Sequence, residues 1–383
     1  MYQFSFPTRM ILGEGALDEM SDAMERQGHR RPLVVSDPTL QDLGLVARLT
    51  ATLESHGLQS NTFTEVHPNP LQEDCEKGIQ CFADNGCDSL IALGGGSAMD
   101  VAKTLRILAS HPGPLAQYEE ARGGDRLIVN PMPPLYAIPT TAGTGSEVGR
   151  AAVVILRETS RKSIIFHPDL MPTIAVLQPS LTLGLPVALT AATGIDALTH
   201  AMEAYFAPDF HPICDGIALQ AMQLVVEYLP RACADGSDLD AREKMLLAAS
   251  MGAIAFQKGL GMVHSLAHPL SAEYGTHHGL ANALLLPDSL ALIEQRVRHA
   301  DQKQRIRDTQ RIFRKADLAA ESLAGSVRLL IDNIGIQMGL EAQSIPARDL
   351  PRLAELAFAD GIHRTNMVPV TRDDLLRVYQ NAL

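Results

Sequence analysis

Tryptophan is absent, aromatic residues make up only 4% of the chain, and no basic stretch is rich in aromatics. With a net charge of −12 and no basic block, nucleic acid is a poor partner, because its phosphates call for a cationic face. A small anionic substrate stays open, since one local arginine can outweigh the global field. The five cysteines, Cys75, Cys81, Cys87, Cys214 and Cys233, are odd in number and never in CxxC spacing. That argues against a disulfide framework or a zinc–thiolate site and for single buried thiols in a reducing compartment. No run approaches the roughly 20 apolar residues of a membrane span, and "MYQFSFPTRMIL" lacks the charged start and apolar core of a signal peptide. The expected location is the cytoplasm.

What is present is an ordinary globular composition, 46% apolar and 20% charged over 383 residues, long enough for two domains. The first half alternates apolar runs with helical patterns. "RPLVVSD" (31–37), "DSLIALGGG" (88–96), "PLYAIPTT" (134–141) and "TIAVLQ" (173–178) read as buried strands, and "AMDVAKTLRILAS" (98–110) carries a helical apolar period. Strands separated by helices predict a parallel sheet covered on both faces. "AAVVIL" (151–156) followed by "KSIIFH" (162–167) reads as a hairpin on that sheet. After "LTLGLP" (181–186) strand patterning all but stops, and amphipathic stretches such as 193–206, 214–229 and 241–256 take over. The expected boundary lies near Leu183 to Leu185: an α/β nucleotide-binding domain over 1–184, then an all-helical metal and catalytic domain over 185–383.

"LIALGGGSAMDVAK" places Gly94, Gly95, Gly96 and Ser97 between a strand and a helix. Such a turn offers backbone N–H groups and the positive end of a helix dipole to an anion. It is neither the G-x-G-x-x-G fingerprint nor a Walker loop. A second strand is followed by "PTTAGTGSEVGR" (139–150), where Thr140, Thr141, Thr144 and Ser146 suit phosphate or ribose oxygens. Two such loops after parallel strands face the sheet edge where cofactors bind. Asp37 ends a further strand, where a carboxylate accepts from ribose hydroxyls and repels a 2′-phosphate, favouring NAD over NADP.

Four of the thirteen histidines crowd into "GLGMVHSLAHPLSAEYGTHHG" (259–279): His264, His268, His277 and His278. "TGIDALTHAMEAY" adds Asp196 and His200, whose i, i+4 spacing puts both on one helix face, about 40° apart. Pro269 is expected to break the helix that carries His264 and His268. One aspartate with two or three histidines suits Fe(II) or Zn(II). Spacing leaves open which histidines are ligands, and a metal-free histidine pocket is the alternative. A nucleotide domain joined to such a cluster points to metal-assisted hydride transfer.

At "GGGSAMDVAK", "PTTAGTGSEV", "LTAATGIDALTHAMEAY" and "GLGMVHSLAHPL…HHG" the chain resembles the iron-containing (group III) alcohol dehydrogenases, over nearly its whole length. The resemblance implies an architecture like that of dehydroquinate synthase, usually as a homodimer or larger homo-oligomer. It implies metal ligation by Asp196, His200, His264 and His278, with His268 an unligated histidine beside nicotinamide and substrate; His277 falls at a variable position. Cofactor contacts carry over to Asp37, Asn69 in "PNP", Gly95, Gly96, Ser97, Asp100, Thr140, Thr141 and Thr144, with looser matches at Lys162 and Leu181.

Three departures stand out. Gly149 and Arg150 follow "GSEV", Lys258 occupies a usually uncharged position, and His363 precedes "RTNMV", where Met367 and Val368 replace a usual Pro-Arg. Together these look similar to the 4-hydroxybutyrate dehydrogenase branch. An arginine would give an anionic substrate tail a bidentate, charge-assisted contact, with Arg150 the first choice and Lys258 the second. The expected activity is an NAD-dependent, iron-type dehydrogenase interconverting a short ω-hydroxy acid and its semialdehyde. The alternatives are a general primary-alcohol dehydrogenase and a metal- and NAD-using carbon–oxygen lyase of related fold.

Overall fold

The computed structural model describes residues 8–159 and 161–383. Met1–Pro7, which opens the stretch read for a leader, lies outside them. One compact unit comprises residues 8–141 and 145–182, and the other comprises Leu183–Leu383 with Ala142–Thr144.

The first unit is built on eight strands: β1 (Arg9–Leu12), β2 (Pro32–Val35), β3 (Asn61–Phe63), β4 (Ser89–Gly94), β5 (Leu135–Pro139), β6 (Ala151–Leu156), β7 (Arg161–Phe166) and β8 (Ile174–Leu177). Six form a wholly parallel sheet in the order β1-β8-β5-β4-β2-β3. Its central strands are apolar at nearly every position because both faces are covered. Successive side chains point to opposite faces: Leu33, Val35, Leu90 and Ala92 pack with Leu105 on one face. Val34, Ile91 and Leu93 pack with Met20, Leu49 and Leu53 on the other. The hairpin β6–β7 forms, with Ala151 opposite Phe166 and Leu156 opposite Arg161, but as a separate two-stranded sheet. Expecting it on the main sheet is thereby corrected: its burial alternates along β6, the pattern of a ribbon packed on one face only.

The chain moves from β2 outward to β3 and then returns to β4 on the other side of β2. Loops leaving the carboxyl ends of β2 and β4 therefore diverge, which opens a crevice at that switch point. Asp37 follows β2 and Gly95–Ser97 follow β4, one on each side of it.

The second unit is helical. Val187–Phe206 runs through its middle, buried on nearly every side, as expected for a helix apolar all round and rich in alanine. Pro212–Ala234, Leu239–Ala255, Met262–Tyr274 and His278–Arg296 supply much of the surrounding core. Met262–Tyr274 continues through Pro269, so the expected break there does not occur and His264 and His268 share one helix. Among the described residues no single helix is long and apolar enough to cross a membrane.

Candidate functional site

Two helices of the second unit bring the donor atoms of Asp196, His200 and His264 within 4.8 Å of one another, and a third places His278 beside Asp196. Asp196 and His200 come from Val187–Phe206, His264 from Met262–Tyr274, and His278 opens His278–Arg296. The Nε2 atoms of His200, His264 and His278 lie 3.7, 3.8 and 3.7 Å from Asp196 Oδ1. Gly279 makes this convergence possible. A Cβ there would stand 2.3 Å from the Ala192 carbonyl oxygen, so any larger residue would push the helix bearing His278 away from the one bearing Asp196.

Asp196, His200 and His264 are buried. Burial would raise the Asp196 carboxyl, but the surrounding imidazoles hold it below the usual carboxylate range. Burial takes His200 down to about 4. Burial also opposes charge on His264, yet the Glu203 carboxylate bonded to its ring keeps it above the ordinary histidine value. The donor chemistry fits a divalent first-row cation: one carboxylate and three imidazoles on the Fe(II) or Zn(II) pattern. Neighbouring ligands at about 2.1 Å from such an ion stand roughly 3.0–3.5 Å apart, so modest closure of these contacts suffices.

Two buried neighbours escaped the sequence reading. Glu203 Oε2 is 2.6 Å from His264 Nδ1, and Asn282 Nδ2 donates to Asp196 Oδ1 at 2.7 Å. A signal existed for both. Glu203 lies seven residues after Asp196, and Asn282 lies four after His278, each on the same helix face as a donor.

The other histidines separate clearly. His268 is partly exposed, and its Nδ1 faces Asp360 Oδ2 at 2.9 Å. Its ring stacks on His278 at 5.4 Å. His277 is exposed. His363 is buried, its Nε2 bonded to the Phe358 carbonyl at 2.9 Å and its ring stacked on Phe358, which accounts for this departure as local packing.

Lys258, the second candidate for the substrate's anionic end, is held inside the protein. Its side chain is fully enclosed, with Nζ 2.5 Å from Asp215 Oδ1 and 3.2 Å from the Tyr205 carbonyl. Two of its three N–H donors are thus taken by groups inside the protein, and the side chain is closed off from solvent.

In the α/β unit, Gly95 precedes the helix Gly96–Ser110, and the Ser97 hydroxyl donates to the Pro68 carbonyl at 2.6 Å. That bond holds the loop bearing Asn69 beside the glycine turn. Asp37 caps the short helix Pro38–Asp42 through Leu40 N. Thr140 is buried, its N–H bonded to the Gly94 carbonyl, while Thr141 is partly exposed and Leu181 is buried in the turn Pro179–Thr182.

Asp100, Lys103 and Ser146 form a network: Lys103 Nζ donates to Ser146 Oγ at 2.8 Å, and that hydroxyl lies 3.3 Å from Asp100 Oδ1. Withdrawal from water pushes Asp100 up to about 6 against the attraction of Lys103 and Lys162. Thr144 belongs with the helical unit rather than with this group. Arg150 lies just before β6, its guanidinium 5.7 Å from the Phe166 ring centroid. Unlike Lys258, it has no ion-pair partner among the described residues.

Two family models match: "Iron-containing alcohol dehydrogenase" over residues 7–179, and "Fe-containing alcohol dehydrogenase family, C-terminal" over 190–383. The chain is 38% identical to a 4-hydroxybutyrate dehydrogenase of Cupriavidus necator, covering 98% of each. Among solved structures, a 1,3-propanediol oxidoreductase superposes with a TM-score of 0.91 at 33% identity, covering 100% of both chains. A sulfoacetaldehyde reductase from Bifidobacterium kashiwanohense, solved with NAD+, gives 0.87 at 30% identity over 100% of this chain and 98% of that one.

Proposed function

The chain belongs to the iron-containing alcohol dehydrogenase family, and from that premise we propose an NAD- and metal-dependent dehydrogenase that interconverts a short ω-hydroxy acid and its semialdehyde. It is an oxidoreductase, which sets aside the carbon–oxygen lyase alternative. The observation that carries the proposal is the convergence of Asp196, His200, His264 and His278, read as the metal donors. When bound, the cation supplies Lewis-acid polarisation of the substrate oxygen and NAD the hydride acceptor.

The remaining work falls to side chains. Asp360 accepts from His268 Nδ1, Ser265 Oγ and Ile362 N. Burial would raise its carboxyl, but these partners keep it below the usual range. An ionised Asp360 keeps the hydrogen on His268 Nδ1, leaving Nε2 bare to receive a proton. His268, being partly exposed, then passes the alcohol proton to water. The glycine turn and Asp37 are read as the pyrophosphate and ribose contacts of NAD.

Arg150 is read as the partner of the substrate's anionic end. The names of two relatives, a 4-hydroxybutyrate dehydrogenase and a sulfoacetaldehyde reductase, support an anionic tail. The name of the 1,3-propanediol oxidoreductase favours the second reading, a general alcohol dehydrogenase.

Rates of NADH oxidation by iron-loaded protein separate the two. Succinate semialdehyde is expected to exceed butyraldehyde about a hundredfold in kcat/KM, or about 3 kcal/mol of charged contact. Arg150→Met should collapse that ratio; equal rates with the two aldehydes would leave the general reading standing. Lys258→Met, by contrast, is expected to leave the ratio where it was, because its ammonium faces Asp215. A lowered ratio in that variant would restore Lys258 to the substrate site.

A further inference from the structure

We propose that Glu203 is a positioning residue that fixes His264 in its Nδ1–H tautomer and so keeps Nε2 available as a metal donor. The inference rests on the reading of Asp196, His200, His264 and His278 as ligands. An imidazole ligates through a nitrogen without hydrogen, and its other nitrogen sets the tautomer by the bond it makes. Of the three histidines in the cluster, His264 is the one with a carboxylate of the described residues on its second nitrogen: Glu203 Oε2, at 2.6 Å. The other oxygen, Oε1, accepts from Val263 N at 2.7 Å. That amide belongs to the first turn of Met262–Tyr274, where backbone N–H groups have no partner within the helix.

Glu203 therefore receives two hydrogens, one on each oxygen, from adjacent residues of one helix. Only an acceptor at both ends can do this. A glutamine in its place must choose. With its oxygen toward Val263 N, its amide group donates to His264 Nδ1, drives the hydrogen to Nε2 and blocks ligation. With its oxygen toward His264, the amide group confronts the Val263 N–H, donor against donor, in a buried site.

The approach of Glu203 depends on Gly261. A Cβ at that position would lie 2.7 Å from Glu203 Oε1 and 2.8 Å from Asn366 Oδ1. Alanine there would displace the carboxylate without altering its charge, so the two substitutions disturb one bond by different routes.

The experiment is competitive chelator titration of Zn(II) into metal-free wild type, Glu203→Gln, Gly261→Ala and His264→Ala, with a melting curve for each metal-free protein. Glu203→Gln and Gly261→Ala are expected to weaken Zn(II) binding roughly 10- to 100-fold, with metal-free melting curves close to wild type. His264→Ala is expected to lose more. Unchanged affinity in Glu203→Gln would overturn the proposal, as would an affinity loss matched by collapse of the metal-free fold. If Glu203→Gln does not fold, Gly261→Ala decides by the same criteria. A wild-type protein that takes up no Zn(II), or a His264→Ala protein that binds it fully, would reject the ligand assignment itself. That failure is distinct from wild-type binding that Glu203 does not influence.

Discussion

His264→Ala protein is expected to carry no stoichiometric iron or zinc and to lose kcat/KM on the order of 10³- to 10⁴-fold, about 4–5.5 kcal/mol of transition-state stabilisation. The size follows from where the imidazole sits. It is buried and lies 3.8 Å from Asp196 Oδ1 on a different helix from Asp196 and His200. His268, one turn further along the same helix, is bonded to Asp360 instead. The variant also leaves the Glu203 carboxylate, itself buried, without the N–H of His264 Nδ1. An unsatisfied buried acceptor costs about 1–3 kcal/mol, so the metal-free protein should melt earlier as well. Metal analysis of the purified variant, alongside NADH-linked rates, separates the two losses. Full occupancy with lowered activity would make His264 a catalytic group and not a ligand.

Much of this site was legible in the chain, but unevenly. Asp196 and His200 announce themselves because i, i+4 spacing on a helix is a geometric statement. His264 and His268 share the same spacing, so periodicity cannot rank them. What separates them is tertiary: His264 is enclosed against Glu203, while His268 is partly exposed against Asp360. The resemblance to a known family drew that distinction where the residues alone did not.

The sheet shows the same division. Strands β2, β4, β5 and β8 are buried along their length and apolar enough on both faces to be read directly. The edge strands β1 and β3 were missed because "RMIL" and "NTF" are partly exposed. An edge strand need not be apolar on both sides. Pro269 misled because proline is a rule about local hydrogen bonds, and a helix packed on several sides tolerates one missing donor.

The surroundings of Lys258 were the least legible, because a sequence shows a charge but not its partner. Asp215 stands 43 residues before Lys258 in the chain, and Arg305 stands 90 residues after Asp215. Both cations converge on that one carboxylate: Lys258 Nζ at 2.5 Å on Oδ1 and an Arg305 nitrogen at 2.8 Å on Oδ2. Both also donate to the Tyr205 carbonyl, at 3.2 and 2.6 Å, in the last turn of Val187–Phe206, where cations are favoured. Removing the carboxylate alone leaves an enclosed ammonium facing a partly buried guanidinium.

Asp215→Asn is therefore expected to cost about 3–5 kcal/mol of stability, the usual penalty for stripping one partner from a buried ion pair. The denaturant midpoint of the metal-free protein reads this directly. The pH dependence carries a sign. Burial already holds the Lys258 ammonium below its ordinary value, against the opposing pull of Asp215, and without Asp215 it should fall further. A lysine depressed in the folded state binds fewer protons there than in the unfolded chain. Stability then rises with pH between the folded value and the unfolded value near ~10.4. The deficit of Asp215→Asn should accordingly shrink as pH is raised from 7 towards that limit. Adding Lys258→Met should recover most of the loss at neutral pH, because one of the two stranded charges is gone. A deficit independent of pH and untouched by the second substitution would mean that Asp215 acts through packing or capping alone.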